Sequence, residues 1–376
     1  MNEMRYGIIG TGMMGQEHIR NIALLNGARV AALCEPNPDM RAQASALAPE
    51  AAVFTDMDAM LDARDLDALV IVSPNHVHVP QLARIASRCA VPILVEKPLF
   101  TGPDQLEKLR AFRDSYAAPV WVAMEYRYMP PVAALLREAE AVTGGVRMLS
   151  IREHRFPFLQ KVGDWNRFNA NTGGTLVEKC CHFFDLMRLV LGQEPVRVMA
   201  SGGQVENHLD ETYDGAVPDI WDAAYVIVDF DGGARAMLEL CMFAEGSRYQ
   251  EEISAVGPAG KIEALVPGPT RFWTGAGAPP VPKVIVSPRA YKSPIETEMP
   301  VPAELLAAGD HNGSTFHQHE GFLEVVRGNL APEVTLSDGW AAVALGLAAQ
   351  ESARTGQAVQ ITPDWQMDTS AVAQVS

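Results

Sequence analysis

The sequence predicts an α/β protein of two domains: first a helix-covered parallel sheet, then an α+β domain on a large, mostly antiparallel sheet. At 376 residues the chain is longer than one hydrophobic core usually serves. Short apolar runs alternate with helix-like segments over residues 1–125, the pattern of a parallel sheet buried on both faces. Beyond Met129-Pro130-Pro131, longer strand-like runs are separated by turn residues. We therefore place the second domain at residues 126–376.

Six short apolar runs are the candidate strands of the first domain. In chain order they are residues 6–10, 29–35, 53–54, 69–72, 93–96 and 120–125. The stretches between them carry helix-capping signals, such as Asp104 at the start of the segment that runs to Tyr116. Because the connections are helical, neighbouring strands are expected to run parallel.

The second domain is predicted to contain one strong helix and a hairpin. The helix spans residues 174–191. Asp231-Gly232-Gly233 is a tight-turn sequence between two apolar runs, 223–230 and 234–243. These runs are expected to pair as antiparallel strands.

The last hundred residues predict an irregular segment and a closing helix. Proline and glycine are dense between residues 267 and 302, which indicates a long surface excursion rather than a regular element. The closing helix follows a start signal at Ser337-Asp338, runs through alanine-rich sequence at 340–353 and stops at Gly356. Its small residues suit tight packing against another helix.

The composition excludes several classes of function. A formal net charge of -16 without a basic run would repel a phosphate backbone, so nucleic acid is not an expected partner. No stretch approaches 18 uninterrupted apolar residues, so we expect a cytoplasmic protein that does not enter a membrane. The five cysteines lack CxxC spacing and predict reduced thiols. Of these, Cys180 and Cys181 are expected to pack a helix.

A glycine-rich string joins the first predicted strand to the first helix with the spacing GxGxxG. Gly10 permits the tight turn, Gly12 lets the backbone approach a pyrophosphate, and Gly15 allows close helix-to-strand packing. The helix N-terminus offers free N–H groups to the anion. The first domain is therefore predicted to be a Rossmann domain. Its dinucleotide-binding residues in this string are Gly10, Thr11, Gly12, Met13, Met14 and Gly15.

Glu35 identifies the dinucleotide. It follows Gly15 by twenty residues and lies at the tip of the second predicted strand. A carboxylate there accepts hydrogen bonds from the adenosine ribose and would repel a 2′-phosphate. NAD, rather than NADP, is the predicted cofactor.

Three further segments carry a family resemblance. They are Ser73-Pro74-Asn75-His76-Val77-His78, Glu96-Lys97-Pro98, and Gly173-Gly174-Thr175-Leu176-Val177-Glu178 with His182 and Asp185 beyond it. In register with GxGxxG, they make the chain resemble the Gfo/Idh/MocA oxidoreductases over nearly its whole length. The resemblance implies that Pro74, Asn75 and His78 lie along the nicotinamide half of the cofactor, with Glu96 and Lys97 beside the reacting centre. Ser73 is a further predicted cofactor contact.

The candidate catalytic residues are Lys97, Glu178 and His182. The resemblance implies that Glu178, where the family carries Asp, and His182 lie close to the reacting hydroxyl. Oxidation of a secondary alcohol needs a base within hydrogen-bond reach, and His182, oriented by Glu178, is our candidate. Lys97 would stabilise the developing negative charge on oxygen, or would shuttle the proton itself if burial and the cofactor's charge lower its pKa. Both assignments stay open at this point.

A metal site is the alternative interpretation of the same helix face. Glu178, His182 and Asp185 are spaced four and three residues apart, and His154 would complete a ligand set. Hydride transfer to a nicotinamide needs no metal, and the resemblance implies none. We therefore predict no metal.

The candidate substrate contacts are rich in hydrogen-bond donors and aromatic surface. They are Lys97, Tyr126, Arg127, His154, Trp165, Arg167, Glu178, His182 and His317. This chemistry suits a neutral polyol better than a fatty or phosphorylated substrate.

The predicted function is NAD-dependent hydride transfer at a secondary alcohol of a sugar or cyclitol, as in the inositol dehydrogenases that the sequence resembles. One alternative is an aldose 1-dehydrogenase that forms a lactone. Another is a non-catalytic sensor that binds NAD and a sugar. The resemblance also implies a homodimer or homotetramer, since the family's antiparallel sheet commonly packs against its twin.

Overall fold

The computed structural model describes residues 3–63, 65–275 and 277–362, and the backbone of 367–368. The first domain holds six strands: β1 Met4–Ile9, β2 Ala28–Cys34, β3 Ala52–Phe54, β4 Ala68–Ile71, β5 Ile93–Val95 and β6 Val120–Val122. All neighbouring pairs are parallel, in the order β3-β2-β1-β4-β5-β6. The six predicted strands and the parallel sheet are confirmed.

Helices connect these strands: α1 Met13–Ala23, α2 Pro38–Leu47, α3 Met57–Ala63, α4 His78–Ala86 and α5 Leu106–Ser115. Local chemistry explains their starts. Asn37 caps α2, because its Oδ1 accepts the N–H groups of Asp39 and Met40, and Pro38 follows at the first helical position. The strand order reverses at β1, which lies between β2 and β4, so the loops after β1 and β4 diverge and open a crevice.

The described part of the second domain contains a ten-stranded sheet. Its strands are β7 Met148–His154, β8 Pro195–Gly203, β9 Ala223–Phe230, β10 Arg235–Cys241, β11 Glu251–Val256, β12 Gly260–Val266, β13 Lys283–Pro288, β14 Ile295–Glu298, β15 Val359–Ile361 and β16 Met367–Asp368. The order is β14-β13-β12-β11-β7-β10-β9-β8-β15-β16. Strands β7 and β10 run parallel, and the other described neighbours run antiparallel. The predicted antiparallel sheet and the β9–β10 hairpin are confirmed.

Seven helices in the described part of this domain accompany the sheet: α6 Pro130–Thr143, α7 Asn169–Thr172, α8 Thr175–Glu178, α9 Cys181–Leu191, α10 Ala303–Ala308, α11 Ser314–Val326 and α12 Leu336–Thr355. The predicted closing helix is confirmed as α12, with a capping box at Thr335 and Asp338 and a left-handed Gly356 at its end. Among the described residues, none of the helices combines the length and the apolar character needed to cross a bilayer.

Two predictions about secondary structure were wrong. The single helix at 174–191 is interrupted at Lys179 and Cys180, where the hydrogen-bond spacing changes: Cys180 N–H reaches back five residues to the Thr175 carbonyl, and Phe183 N–H only three, to Cys180. The irregular excursion at 267–302 contains strands β13 and β14. Its prolines lie outside or at the ends of these strands, so they cost the sheet no central hydrogen bonds.

All five cysteines are free thiols, as predicted. Cys180 and Cys181 are completely buried, and they lie at the junction of α8 and α9. Both therefore contribute to packing.

Candidate active site

A cleft of about 710 Å³ opens at the carboxyl edge of the parallel sheet. It is lined by the glycine loop, by the tip of β2, by the loops after β3, β4 and β5, and by residues 160–165 of the second domain. Its size lies within the range of small-molecule and cofactor sites. It is the natural place to test each predicted residue.

The three glycines of the loop have the geometry that their predicted roles require. Gly10 has φ +89° and would place a Cβ 2.7 Å from the backbone of Val72 and Ser73. A Cβ on Gly15 would lie 2.4 Å from the Gly10 carbonyl oxygen, whereas one on Gly12 would meet nothing within 4 Å. Gly12 lies at the N-terminus of α1, which no side chain caps. Open space in front of uncapped N–H groups fits a pyrophosphate.

Two carboxylates line the end of the cleft that lies next to the ends of β2 and β3. Glu35 accepts the backbone N–H groups of Thr11, at 2.7 Å, and Asn37, at 2.9 Å. A carboxylate has about four acceptor positions, so Glu35 keeps capacity for a ribose hydroxyl. Asp56, which no sequence motif marks, also lines the cleft. This end therefore fits an adenosine ribose.

Most of the predicted cofactor residues line the cleft, and three do not. Those that line it are Gly10, Gly12, Met13, Met14, Glu35, Ser73, Pro74, Asn75, Glu96 and Lys97. Thr11 and Gly15 lie just behind the loop. His78 is fully buried, with Nδ1 2.9 Å from the Pro98 carbonyl oxygen and Nε2 2.9 Å from that of Ser73. It joins the loops after β4 and β5 rather than facing the cleft.

Lys97 reaches from the parallel sheet to the second domain. Its Nζ donates to the Glu178 carbonyl oxygen at 3.1 Å. Burial alone would lower the pKa of Lys97, but the carboxylates of Glu96, Glu178 and Glu125 raise it. The protein surroundings by themselves therefore do not lower the pKa of Lys97, and the side chain is suited to act as a charged donor.

Glu178 lines the cleft, and its Oε2 has no hydrogen-bond partner among the described residues. Burial raises the pKa of its carboxyl group, against the opposing effect of the Lys161 and Lys97 ammonium groups. A buried polar atom without a partner costs free energy unless a ligand or water meets it. The free oxygen therefore marks a place for a substrate group.

His182 lies in the first turn of α9, is 2% exposed, and is not part of the described lining of the cleft. Burial and the charges of Lys97 and Lys179 hold its pKa well below the ordinary value. Its ring stacks on Tyr126, with centroids 4.1 Å apart and planes at 5°. The predicted orientation by Glu178 is not what the structure has: Nδ1 of His182 has no partner in the described part of the chain. The Tyr126 ring fixes the imidazole plane instead.

Tyr126 itself faces away from the cleft. It is 2% exposed, and its hydroxyl accepts a hydrogen bond from Lys179. Lys179 is also paired with the buried Glu153 at 2.8 Å. Tyr126 therefore supports His182 from behind.

Four other predicted substrate contacts are held by partners outside the cleft lining. Arg127 forms a two-pronged pair with buried Asp185, at 2.6 and 2.5 Å. The remaining pairs are Arg167 with Glu211, His154 with Glu239 and the surface residue His317 with Glu320, at 2.9, 2.9 and 2.7 Å.

These pairs also contradict the alternative metal site. Asp185 is neutralised by Arg127, and His154 is bound to Glu239. Neither side chain is free to join Glu178 and His182 around an ion.

Trp165 does line the cleft, together with Lys161, which sequence reasoning missed. The Lys161 ammonium lies 4.9 Å from the centre of the Trp165 indole ring. Gly163 and Asp164 between them both have positive φ, which turns the two side chains toward each other. No spacing motif precedes this turn, so only the folded chain reveals Lys161.

A second polar cluster lies near Tyr126, and in it Thr315 Oγ1 is 2.8 Å from Glu17 Oε1 and 2.6 Å from Glu125 Oε2. His311 Nδ1 contacts Glu17 at 2.8 Å. Burial would lower the pKa of His311, but the two carboxylates raise it to about 9. The pKa of Glu17 is lowered to about 2, because His311 and Thr315 outweigh its burial. Burial raises the pKa of Glu125.

Comparison with known protein families covers both domains. Residues 4–124 match the family described as "Oxidoreductase family, NAD-binding Rossmann fold". Residues 139–361 match "Oxidoreductase family, C-terminal alpha/beta domain". The two matches follow one another along the chain in the order of its two sheets.

Two curated relatives cover most of the chain. The rhizopine catabolism protein MocA of Rhizobium meliloti is 26% identical over 241 residues, which is 64% of this chain and 72% of the relative. Inositol 2-dehydrogenase 2 of Saccharopolyspora erythraea is 28% identical over 280 residues, which is 73% of this chain and 78% of the relative.

Two solved structures share the fold. Levoglucosan dehydrogenase, in complex with NADH and levoglucosan, has a TM-score of 0.79 at 19% identity and covers 96% of this chain and 99% of its own. A myo-inositol dehydrogenase from Corynebacterium glutamicum has a TM-score of 0.73 at 22% identity, with coverage of 96% and 99%. With both of its domains matched, the chain belongs to the Gfo/Idh/MocA family of oxidoreductases, whose first domain is an NAD-binding Rossmann fold.

Proposed function

We propose that this protein is an NAD-dependent dehydrogenase that transfers hydride between a secondary alcohol of a sugar or cyclitol and the nicotinamide ring. The observation that carries the proposal is the meeting of Lys97 and Glu178 at one end of a cleft whose other end suits an adenosine ribose. Relatives named inositol 2-dehydrogenases support the substrate class.

The side chains divide the chemistry between them. NAD supplies the hydride acceptor when it is bound. The Lys97 ammonium donates to the substrate oxygen and stabilises the negative charge that develops there. The neutral imidazole of His182 accepts the hydroxyl proton. The free Glu178 oxygen accepts a hydrogen bond from a neighbouring hydroxyl, so a substrate with adjacent hydroxyl groups fits best.

Residues from the second domain favour a ring-shaped polyol. Trp165 offers an indole face, and Lys161 beside it offers an ammonium donor. One apolar surface with polar groups around it matches a sugar or cyclitol, which has C–H faces and hydroxyl edges.

A substrate screen tests the proposal. The purified protein is mixed with NAD⁺ and inositols, pentoses and hexoses in both enantiomeric series, and absorbance is followed at the NADH band. We expect turnover with at least one polyol, and a loss of at least about 100-fold in kcat for Lys97→Ala. Lys108→Ala, an exposed lysine of α5, is the matched control and should keep wild-type activity.

The product identifies the reaction, and two negative results would each refute part of the proposal. A ketone supports the proposed reaction, whereas an acid after hydrolysis identifies lactone formation at an anomeric carbon. Tight NAD⁺ binding without NADH formation across the panel would identify a sensor and refute the enzyme. Unimpaired Lys97→Ala would remove Lys97 from the mechanism.

The preference for NAD over NADP rests on Glu35 and Asp56. Both carboxylates line the end of the cleft assigned to the ribose, and both would repel a 2′-phosphate. Titration with NAD⁺ and NADP⁺ should show tighter binding of NAD⁺. Glu35→Ala should narrow the difference between the two dissociation constants. Asp39→Ala, on the exposed first turn of α2, is the control and should leave it unchanged.

We further propose that the open face of the ten-stranded sheet pairs with a second copy of the chain. Helices α6, α9 and α12 cover the other face, while Met148, Tyr225 and Ile227 are 61%, 59% and 42% exposed on the open one. Such apolar exposure on one side of a sheet is typical of an oligomer interface. Light scattering should show a dimer or tetramer, and Ile227→Lys should shift it toward monomer; an unchanged mass would refute this interface.

A further inference from the structure

Three buried side chains, those of His319, His18 and Glu96, contact one another in a row that ends at the cleft. His319 on α11 places Nε2 2.7 Å from Nδ1 of His18 on α1, and His18 Nε2 lies 2.9 Å from Glu96 Oε1. Both histidines are 0% exposed and Glu96 is 4% exposed. The chain therefore links a helix of the second domain to the loop that carries Lys97.

The direction of the last hydrogen bond follows from the chemistry of its members. Burial would raise the pKa of Glu96, but the hydrogen bond from His18 and nearby positive charges lower it overall, so the group is a carboxylate. A carboxylate only accepts, and His18 Nε2–H must therefore donate to it.

His319 supports this arrangement from the apolar interior. Burial holds its pKa well below the ordinary value, so the ring is neutral. Its edge contacts Tyr6, and its Nδ1 has no partner in the described part of the chain. A buried nitrogen left without a partner is costly, which indicates that the contact with His18 has a use that offsets the cost.

We relate the contact between His319 and His18 to the negative charge of Glu96, at the end of the cleft proposed to hold the nicotinamide. Glu96 lines the cleft directly before Lys97, and its Oε2 accepts the Lys97 N–H at 3.2 Å. The Lys97 ammonium is close enough for each of the two groups to shift the pKa of the other, so it competes with His18 for this carboxylate. The bond from His18 keeps Glu96 in place.

We propose that His18 and His319 are positioning residues that hold the Glu96 carboxylate beside the nicotinamide ring and thereby favour binding of NAD⁺ over NADH. This inference rests on the proposed function for the identity and the orientation of the dinucleotide. The oxidised ring carries a positive charge and the reduced ring does not, so a fixed carboxylate stabilises only the oxidised form.

Equilibrium binding tests this without any substrate. The dissociation constants of NAD⁺ and NADH are measured by calorimetry for wild type, His18→Phe, His18→Gln, His319→Phe and Glu96→Gln. Phenylalanine removes the donor and keeps a ring, whereas glutamine at position 18 keeps an N–H near Nε2. His317→Phe, which changes a surface histidine on the same helix, is the control.

We expect the ratio Kd(NAD⁺)/Kd(NADH) to rise about tenfold in Glu96→Gln and in His18→Phe, as for loss of one partly screened charge contact. The ratio should also rise in His319→Phe, but by less, and in His18→Gln it should stay near the wild-type value. The double variant His18→Phe/Glu96→Gln should match Glu96→Gln, because both changes act through one carboxylate.

The opposite outcomes are distinct from failure of the proposed function. If His18→Phe weakens both dinucleotides equally, or leaves the ratio unchanged, the positioning role is refuted. Should His18→Phe fold poorly in a thermal unfolding assay, His319→Phe and Glu96→Gln decide alone. A protein that shows the expected ratios but oxidises no polyol would refute only the proposed function, and one that binds neither dinucleotide would refute both.

Discussion

Gly346 in the middle of α12 is a position where one methyl group should disturb the candidate site from a distance. A Cβ there would lie 2.5 Å from the Leu176 carbonyl oxygen and 3.0 Å from Val177 Cα. Both atoms are backbone, so they cannot turn aside as the end of a side chain would. Two residues further along, the Glu178 carbonyl holds Lys97.

The sign of the effect of Gly346→Ala follows from two opposing magnitudes. Alanine gains about 1 kcal/mol of helix propensity over glycine, whereas overpacking against backbone typically costs about 1–3 kcal/mol and more at such short contacts. We expect a net loss of roughly 1–2 kcal/mol in the free energy of unfolding, measured by urea titration, and a lower kcat. The control is Gly203→Ala on β8, whose Cβ would meet nothing within 4 Å. A Gly346→Ala protein as stable as wild type would refute the reasoning.

Three further predictions concern buried charges. Asp185→Asn leaves the Arg127 guanidinium without its carboxylate and should cost about 3–5 kcal/mol in urea unfolding, whereas Asp114→Asn, in an exposed pair, should cost under about 0.5 kcal/mol; equal losses would contradict this. The pKa of His311 is raised to about 9 from 6.5, so its stabilising contribution is complete below pH 6.5 and is lost as the pH rises through 9. Stability of the wild type should fall across that window, and His311→Asn should flatten the fall; parallel profiles would count against it. The pKa of Glu17 is lowered to about 2 from 4.5, so its contribution, present above pH 4.5, is lost as the pH falls through 2.

The parts of the molecule that the sequence predicts correctly are those with short-range physical causes. The motif that contains Gly10, Gly12 and Gly15 is itself local, and a Cβ on Gly15 would meet the Gly10 carbonyl oxygen within the same turn. The buried parallel strands follow from continuous apolar runs, and the β9–β10 hairpin from its turn residues. Each of these signals is complete within about ten residues.

The features that sequence reasoning missed depend on partners far along the chain. Arg127 looked like a substrate contact because nothing near it in sequence shows that Asp185, 58 residues away, would neutralise it. The contact between His18 and His319 joins residues separated by 301 positions. Lys161 reaches the cleft through a left-handed turn at Gly163 and Asp164 that no common motif encodes. The partner of a charged or hydrogen-bonding side chain is known only when distant segments of the chain come together in the fold.

The helix break at Lys179 and Cys180 shows why a regular pattern can mislead at a functional site. A continuous helix would have stacked Glu178 directly over His182, and the two would have been expected to hydrogen-bond. The break instead separates α8 from α9, so that Glu178 lines the cleft and its carbonyl oxygen receives Lys97, while His182 stacks on Tyr126.

One set of neighbours has opposite effects on the two groups that the proposed reaction needs. Lys97 lies among carboxylates, and its pKa is raised; His182 lies near Lys97 and Lys179, and its pKa is lowered. The lysine therefore favours its protonated form and the imidazole its neutral form. Groups whose surroundings drive their pKa values apart are suited to separate donor and acceptor roles. The proposed function gives Lys97 the role of donor to the substrate oxygen, and it keeps the neutral His182 as the candidate proton acceptor.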